Sequence, residues 1–277
     1  MIDPQLLRDL RRRFPDRSAE HLASPAALPP GRQVLPQLWV SDGPAPAGLW
    51  QRLRREHAGS GLWPLLLSPG NDVPDLGPRD LGLIPVEPGE PGESALDRYD
   101  PAVLLREWWE HSVLWCPSGD PQDVADLLGV LKPFGAAWPG TAPAGPARRD
   151  PEDCADALAR SLLRGQRRLR IGLVRADGGA EALAACGWYG TNGHDDTGAV
   201  AAVLRSWQER FGARVVQAGA DSLYLSVAAP PADVEEALPV AAEHVALCPD
   251  NVFQGPGSLA DYAEELVGGH AWSFWWD

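Results

Sequence analysis

The stretch RVVQAGADSLYLSV, Arg214–Val227, decides how the chain is read. Two β-rich runs, Arg214–Ala218 and Leu223–Val227, flank the short segment Gly219–Ser222, which spells a hairpin. Along the second run Leu223, Leu225 and Val227 share one face, while Ser222, Tyr224 and Ser226 share the other. Just upstream, Thr197–Phe211 carries Val200, Val203, Leu204, Trp207 and Phe211 at helical spacing, and Gly212 follows as a stop. A helix running into a hairpin implies a helix packed on a sheet. The expected fold class is α/β, with α+β as the alternative.

Working outward, Arg168–Val174 reads as a strand. Asp150 is placed to cap a helix that opens on Pro151, Glu152 and Asp153. Helical segments are expected from Asp233 to about Leu247 and from Ser258 to Val267. The chain ends in AWSFWWD, a tryptophan-rich strand with Trp272, Phe274 and Trp276 on one side and Ser273, Trp275 and Asp277 on the other. Trp207 is expected to pack against the first set. The C-terminal part is therefore a small mixed sheet with helices packed on it.

The clearest break is Pro139–Arg149, PGTAPAGPARR, whose composition predicts an exposed, extended linker. Before it, a Pro/Gly-rich N-terminal α/β region is expected. Its elements are a helix over Pro4–Phe14, a strand over Gln37–Ser41, a helix near Ala47–His57 and a strand over Gly61–Ser68. Proline-rich loops fill about Pro69–Ser94, and helices return over Ala102–Val113 and Pro121–Lys132. The expected division is thus 1–138, a linker at 139–149, and a C-terminal domain at 150–277.

The chain has 277 residues, 44% hydrophobic and 22% charged, which are the proportions of a globular protein. Its net charge of −14 speaks against nucleic-acid binding, which needs basic surface, and against anionic membranes; it suits a basic protein partner. A single lysine, Lys132, beside abundant arginine, alanine, glycine and proline has the look of high-GC coding, so the arginine and proline counts carry little functional weight. Cys116, Cys154, Cys186 and Cys248 never form C-x-x-C, so no zinc knuckle or redox pair is legible. Four scattered thiols fit a reducing compartment. The N-terminal MIDPQLLRDLRRRFPD lacks the apolar stretch of a signal peptide, and no run approaches the ~20 apolar residues of a membrane span. A cytoplasmic location is expected, and no cofactor.

The candidate chemistry concentrates in Glu243–Gly255, EHVALCPDNVFQG. His244 and Cys248 are one helical turn apart, and Pro249 places the cysteine at the helix end. One alternative makes Cys248 a nucleophile, His244 its base and Asp250 the orienting group. Another uses the same three residues as metal ligands, with His194 or Asp195 from the loop HDDT as a fourth. The helix C-terminus disfavours a thiolate, so a structural role for all three is preferred. No catalytic residue and no metal is assigned. Ser258, with Asp261 three residues on, is explained as a helix cap, and Asp196 or Thr197 likewise. No H-E-x-x-H, G-x-S-x-G or Walker loop occurs. The residues put forward for binding are His244, Cys248, Asp250, Gln254, Asp221, Tyr224, Trp275 and Asp277. Among them Trp275 is read first as core, with a binding surface beside Tyr224 and Asp277 as the alternative.

Three segments, VLRSWQERFGARVV (Val203–Val216), DSLYLSVAAPP (Asp221–Pro231) and AEHVALCPDNVFQGPGSLADYAEELVGGHAWSFWWD (Ala242–Asp277), together resemble the domain-of-unknown-function family 4253, a bacterial family without an assigned activity. The resemblance covers about Arg168–Asp277, and the CPD, QG and W-x-F-W-W-D elements are its most specific part. Two positions depart from the family pattern. GWYGTNGHDD, Gly187–Asp196, stands where a second cysteine-proline is expected. Pro239 interrupts the Asp233–Leu247 helix, where an interior proline costs ~3 kcal/mol, so a kink or two short helices are expected. The resemblance implies a domain identity without a chemistry. The expected function is a non-enzymatic binding or protein-interaction module, immunity-like in one version. The alternative is an enzyme or metal protein centred on His244, Cys248 and Asp250.

Overall fold

The computed structural model describes residues 28–69, 77–84, 96–114, 120–191 and 196–277. From the N-terminal side it places strands β1 (Gly31–Leu35) and β2 (Leu38–Ser41), helix α1 (Leu49–Ser60) and strand β3 (Leu62–Ser68). Helices α2 (Pro101–Leu114), α3 (Pro121–Val130) and α4 (Pro151–Gly165) follow, then strand β4 (Arg170–Arg175) and helix α5 (Gly179–Cys186). The remainder holds α6 (Thr197–Phe211), β5 (Arg214–Gly219), β6 (Ser222–Ser226) and α7 (Val234–Leu247). The single turn α8 (Asp250–Phe253), α9 (Leu259–Leu266) and β7 (Ala271–Trp275) complete it. The expected helix at Pro4–Phe14, much of the proline-rich Pro69–Ser94, Cys116, His194 and Asp195 lie outside the described residues.

The strands form one mixed sheet in the order β1-β2-β4-β3-β5-β6-β7. Every neighbouring pair is antiparallel except β3 with β5. The fold is α/β, with the tryptophan-rich strand at one edge of the sheet. The two-residue period of each strand sorts its side chains onto two buried faces. Leu38, Val40, Trp63, Leu65, Leu67, Val174, Leu223 and Leu225 lie in the core layer that also holds α5, α6, α7 and α9 side chains. Trp39, Leu62, Leu66, Ile171, Leu173 and Val216 face the opposite way, against Trp50 and Leu53 of α1 and Ala155, Ala159 and Leu162 of α4. Pro64 is tolerated in β3 because the ladder to β5 spans only Leu66–Ser68, so its missing N–H is not needed there.

Local signals set the helix ends. Asp196 accepts from the N–H groups of Gly198 and Ala199 to start α6, and Gly212, at φ 58°, ends it in the left-handed region. Asp150 does the same for α4, and Ser258 for α9. Pro239 does not divide α7 into two short helices, one of the two outcomes expected there: the helix is continuous from Val234 to Leu247. The proline removes one bond, to the carbonyl of Glu235, and Glu235 is exposed, so water can take the partner's place.

The expected linker at 139–149 joins segments that share a sheet. β4 lies between β2 and β3, so strands from either side of Pro139–Arg149 build a single sheet. That segment has no regular structure, but it is not a free tether: Ala142 is buried, and the N–H of Arg148 donates to the carbonyl of Ala228. Its composition removed backbone regularity without removing packing. The sequence also left β1 unanticipated, because its five residues carry little alternation.

An ionic clamp joins the two segments on the α1–α4 side. Arg54 donates from Nε and Nη2 to the Asp156 carboxylate at 2.7 and 3.1 Å, and from Nη1 to Glu152 at 2.6 Å. Glu152 in turn accepts from Arg214 of β5 at 3.0 Å. Arg54 and Asp156 are mostly buried, so solvent screens the fork weakly. Replacing Arg54 with alanine should therefore lower stability by about 2 kcal/mol. Urea unfolding checks this: the midpoint should fall at constant slope, whereas an unmoved midpoint would show the clamp to be energetically idle.

Candidate functional site

The C-terminal turn of α7 delivers Glu243, His244 and Cys248 into the interior, where all three are completely buried. His244 sits in an aromatic box. Its ring lies 4.6 Å from Trp272, 4.8 Å from Phe274, 5.0 Å from Trp207 and 5.8 Å from Tyr262, centroid to centroid. Trp207 stacks on Phe274 at 5.5 Å and meets Trp272 edge-on, as the sequence pattern of α6 and β7 implies.

Hydrogen bonding assigns the imidazole tautomer. Asn251 Nδ2 donates to the carbonyl of Ser273 at 2.7 Å, which fixes the orientation of its amide, and also to the hydroxyl oxygen of Tyr262 at 2.8 Å. The Tyr262 proton is then directed at His244 Nδ1, 3.0 Å away. His244 Nε2 therefore carries the ring proton, and among the described groups this nitrogen has no hydrogen-bond partner. His244 and Cys248 do not bond to each other: the thiol donates to the carbonyl of Trp275 at 3.0 Å.

These contacts explain why the sequence carries CPDN. In the β6–β7 ladder, the N–H of Trp276 donates to Asp221 and the N–H of Val227 donates to His270, so the even-numbered residues of β7 face β6. The backbone groups of Ser273, Trp275 and Asp277 thus point away from the sheet, along its open edge. Cys248 and Asn251 donate to two of the carbonyls, and Asp250 accepts from the N–H of Asp277 at 3.1 Å. The turn after α7 thus supplies three of the hydrogen bonds that an eighth strand would make along this edge, which blunts it toward other chains.

Beside His244, Glu243 is a charged group that the sequence reading missed. Its carboxylate accepts from Arg210 Nη1 and Nη2 at 2.7 Å each, from Trp207 Nε1 at 2.6 Å and from the N–H of Ala142 at 2.6 Å. Arg210 also donates to the carbonyl of Ala142 at 2.8 Å and lies over the Phe211 ring. The signal available in the sequence was an acid inside Val240–Leu247, a run otherwise apolar but for His244.

The remaining candidates gather on the outer side of β7. Ala271, Ser273 and Trp275 are exposed, with Trp275 at 40%. Asp221 is exposed and precedes Ser222, which pairs with Trp275; Tyr224, opposite Ser273, is half-buried against the α1–α4 layer. Gln254 is exposed and donates to Asp250. The structure brings Asp250 and Asp277 together at the end of β7, two residues beyond Trp275, leaves Asp221 opposite Trp276 at the hairpin turn, and buries His244 and Cys248. No group of three or more metal-ligating side chains occurs among the described residues.

Burial, and secondarily the Arg210 charge, push His244 down to about 3, and burial pushes the Cys248 thiol up to about 12. The expected cause for the thiol, the helix dipole, is thus replaced by desolvation as the leading one. The unfolded His244 titrates near 6.5. As pH falls from there toward 3, the unfolded chain binds a proton that the folded one refuses. Stability should decline across that window by roughly 1 kcal/mol per pH unit and be fully lost from this source below it. Urea midpoints of wild type and His244→Phe, followed from about pH 7 to about pH 4, should diverge, with the variant flatter. Parallel profiles would contradict this account. In the same samples Cys248 should resist alkylation at neutral pH until the chain unfolds.

Comparison with curated proteins and with solved structures gives no match. No helix of the described residues is long and apolar enough to cross a membrane. The matching segment opens with the first residue of β4 and runs through the Cys248–Asn251 turn to the tryptophan-rich edge strand it seals: residues 170–277, the C-terminal part of the chain, match the family described as Domain of unknown function (DUF4253).

Proposed function

We propose that the protein is a non-enzymatic binding module that recognises a basic protein partner through the outer face of β7. The observation that supports this is Trp275, an indole 40% exposed on a strand whose alternate residues are buried, followed two residues on by Asp277, whose N–H donates to Asp250. An indole face and neighbouring carboxylates complement an arginine: the ring takes the guanidinium plane and the acids take its N–H fork. The net charge of −14 adds long-range attraction for a cationic surface. Cys248 and His244, by contrast, are buried, neutral at physiological pH and engaged in holding the fold.

In this reading the protein is a cytoplasmic bacterial one that masks a basic protein, as immunity proteins do for toxins. Titration with an arginine-rich peptide and a glutamate-substituted counterpart tests the surface directly. The basic peptide should bind, the acidic one should not, and Trp275→Ala should weaken binding by about tenfold or more, as for a hot-spot indole. Equal binding by wild type and Trp275→Ala would overturn the assignment.

A further inference from the structure

The Arg210–Glu243 pair lies inside the matched segment, while the residue it grips, Ala142, lies outside it. The grip is on the main chain. Glu243 accepts the N–H of Ala142, and Arg210 donates to the carbonyl of the same residue, at 2.6 and 2.8 Å. Reading both backbone groups of one residue is how an extended peptide is recognised when it adds to a sheet; here two charged side chains do it.

The occupant has the character of a peptide ligand. Around Ala142, which is 2% exposed, Thr141, Pro143 and Ala144 are all exposed, so a single small side chain is the anchor. The chain enters and leaves without forming helix or strand, and the N–H of Arg148 makes a second hold on the carbonyl of Ala228. The site also survives loss of its occupant. With Ala142 gone, Glu243 keeps both Arg210 nitrogens and the Trp207 indole N–H, so no buried charge is stranded. Arg210, 17% exposed, reaches the site from the surface.

We propose that Arg210 and Glu243 form a backbone-recognition site for an extended peptide, occupied in cis by Pro139–Arg149. When that segment is released, the site takes a proline-rich segment of another protein with alanine or glycine at the anchor. Cis occupancy competes at an effective concentration of order millimolar, so the intact chain masks the site. The inference is independent of the Trp275 surface.

The test uses the full chain carrying Ala142→Trp, whose indole cannot enter the space of a methyl group, titrated with fluorescein-labelled PGTAPAGPARR. The expected result is saturable binding at least about tenfold tighter than to wild type, abolished by adding Arg210→Met in a double variant that keeps native near-ultraviolet circular dichroism. A variant with native near-ultraviolet circular dichroism that binds no better than wild type overturns the proposal, as does binding that survives Arg210→Met. Should Ala142→Trp fail to fold, amide hydrogen exchange on the wild-type chain decides. The Ala142 N–H should exchange by local opening, independent of denaturant and faster than the backbone amides of Trp207 and Val245. Exchange in step with those amides makes the contact part of the global fold and overturns the proposal.

Discussion

A carboxylate with no access to water governs the C-terminal half of this molecule. Glu243 is wholly enclosed, and an enclosed charge is tolerated only when donors surround it. The four that do so come from three places: Arg210 and Trp207 on α6, and the backbone of Ala142. Satisfying the carboxylate therefore sets α6 against α7 and fixes the Trp207 ring. That ring is the platform on which Phe274 stacks and against which Trp272 and His244 stand. The position of β7 thus follows from where one acid has to find its partners.

The second constraint is the sheet edge. β7 ends the strand order, and an edge of bare amides and carbonyls invites pairing with other chains. Cys248, Asp250 and Asn251 occupy that edge with side chains. Through Tyr262, the amide that caps Ser273 also orients His244, so edge protection and core packing share one residue. A cysteine and a histidine one turn apart look like chemistry in a sequence. Here the spacing puts one at the edge and the other in the aromatic box.

What could be read in the sequence was whatever is encoded locally. The α6 stripe with its Asp196 and Gly212 ends, the β5–β6 hairpin, the Ser258 cap and the alternation of Trp272, Phe274 and Trp276 all depend on neighbours a few residues away. What was not legible depends on distant chain. Nothing near Pro139–Arg149 announces that Ala142 meets Glu243, a hundred residues on. Nothing in Arg170–Arg175 says that both its neighbours lie before that segment. The continuity of α7 through Pro239 has a related reason: a propensity penalty is a local sum, and α7 also buries Ala237, Val240 and Ala241.

The placement of β4 also bears on how such a chain can be made. β2 and β3 emerge from the ribosome first and cannot pair with each other, since the slot between them belongs to a strand more than a hundred residues downstream. Until β4 is synthesised, β2 has only β1 beside it and β3 lacks its antiparallel neighbour. High sequence separation of this kind slows the search and lengthens the exposure of sticky surface. The central part of the sheet therefore closes only once β4 has been made, with the hairpin of β5 and β6 and the edge strand β7 still to come.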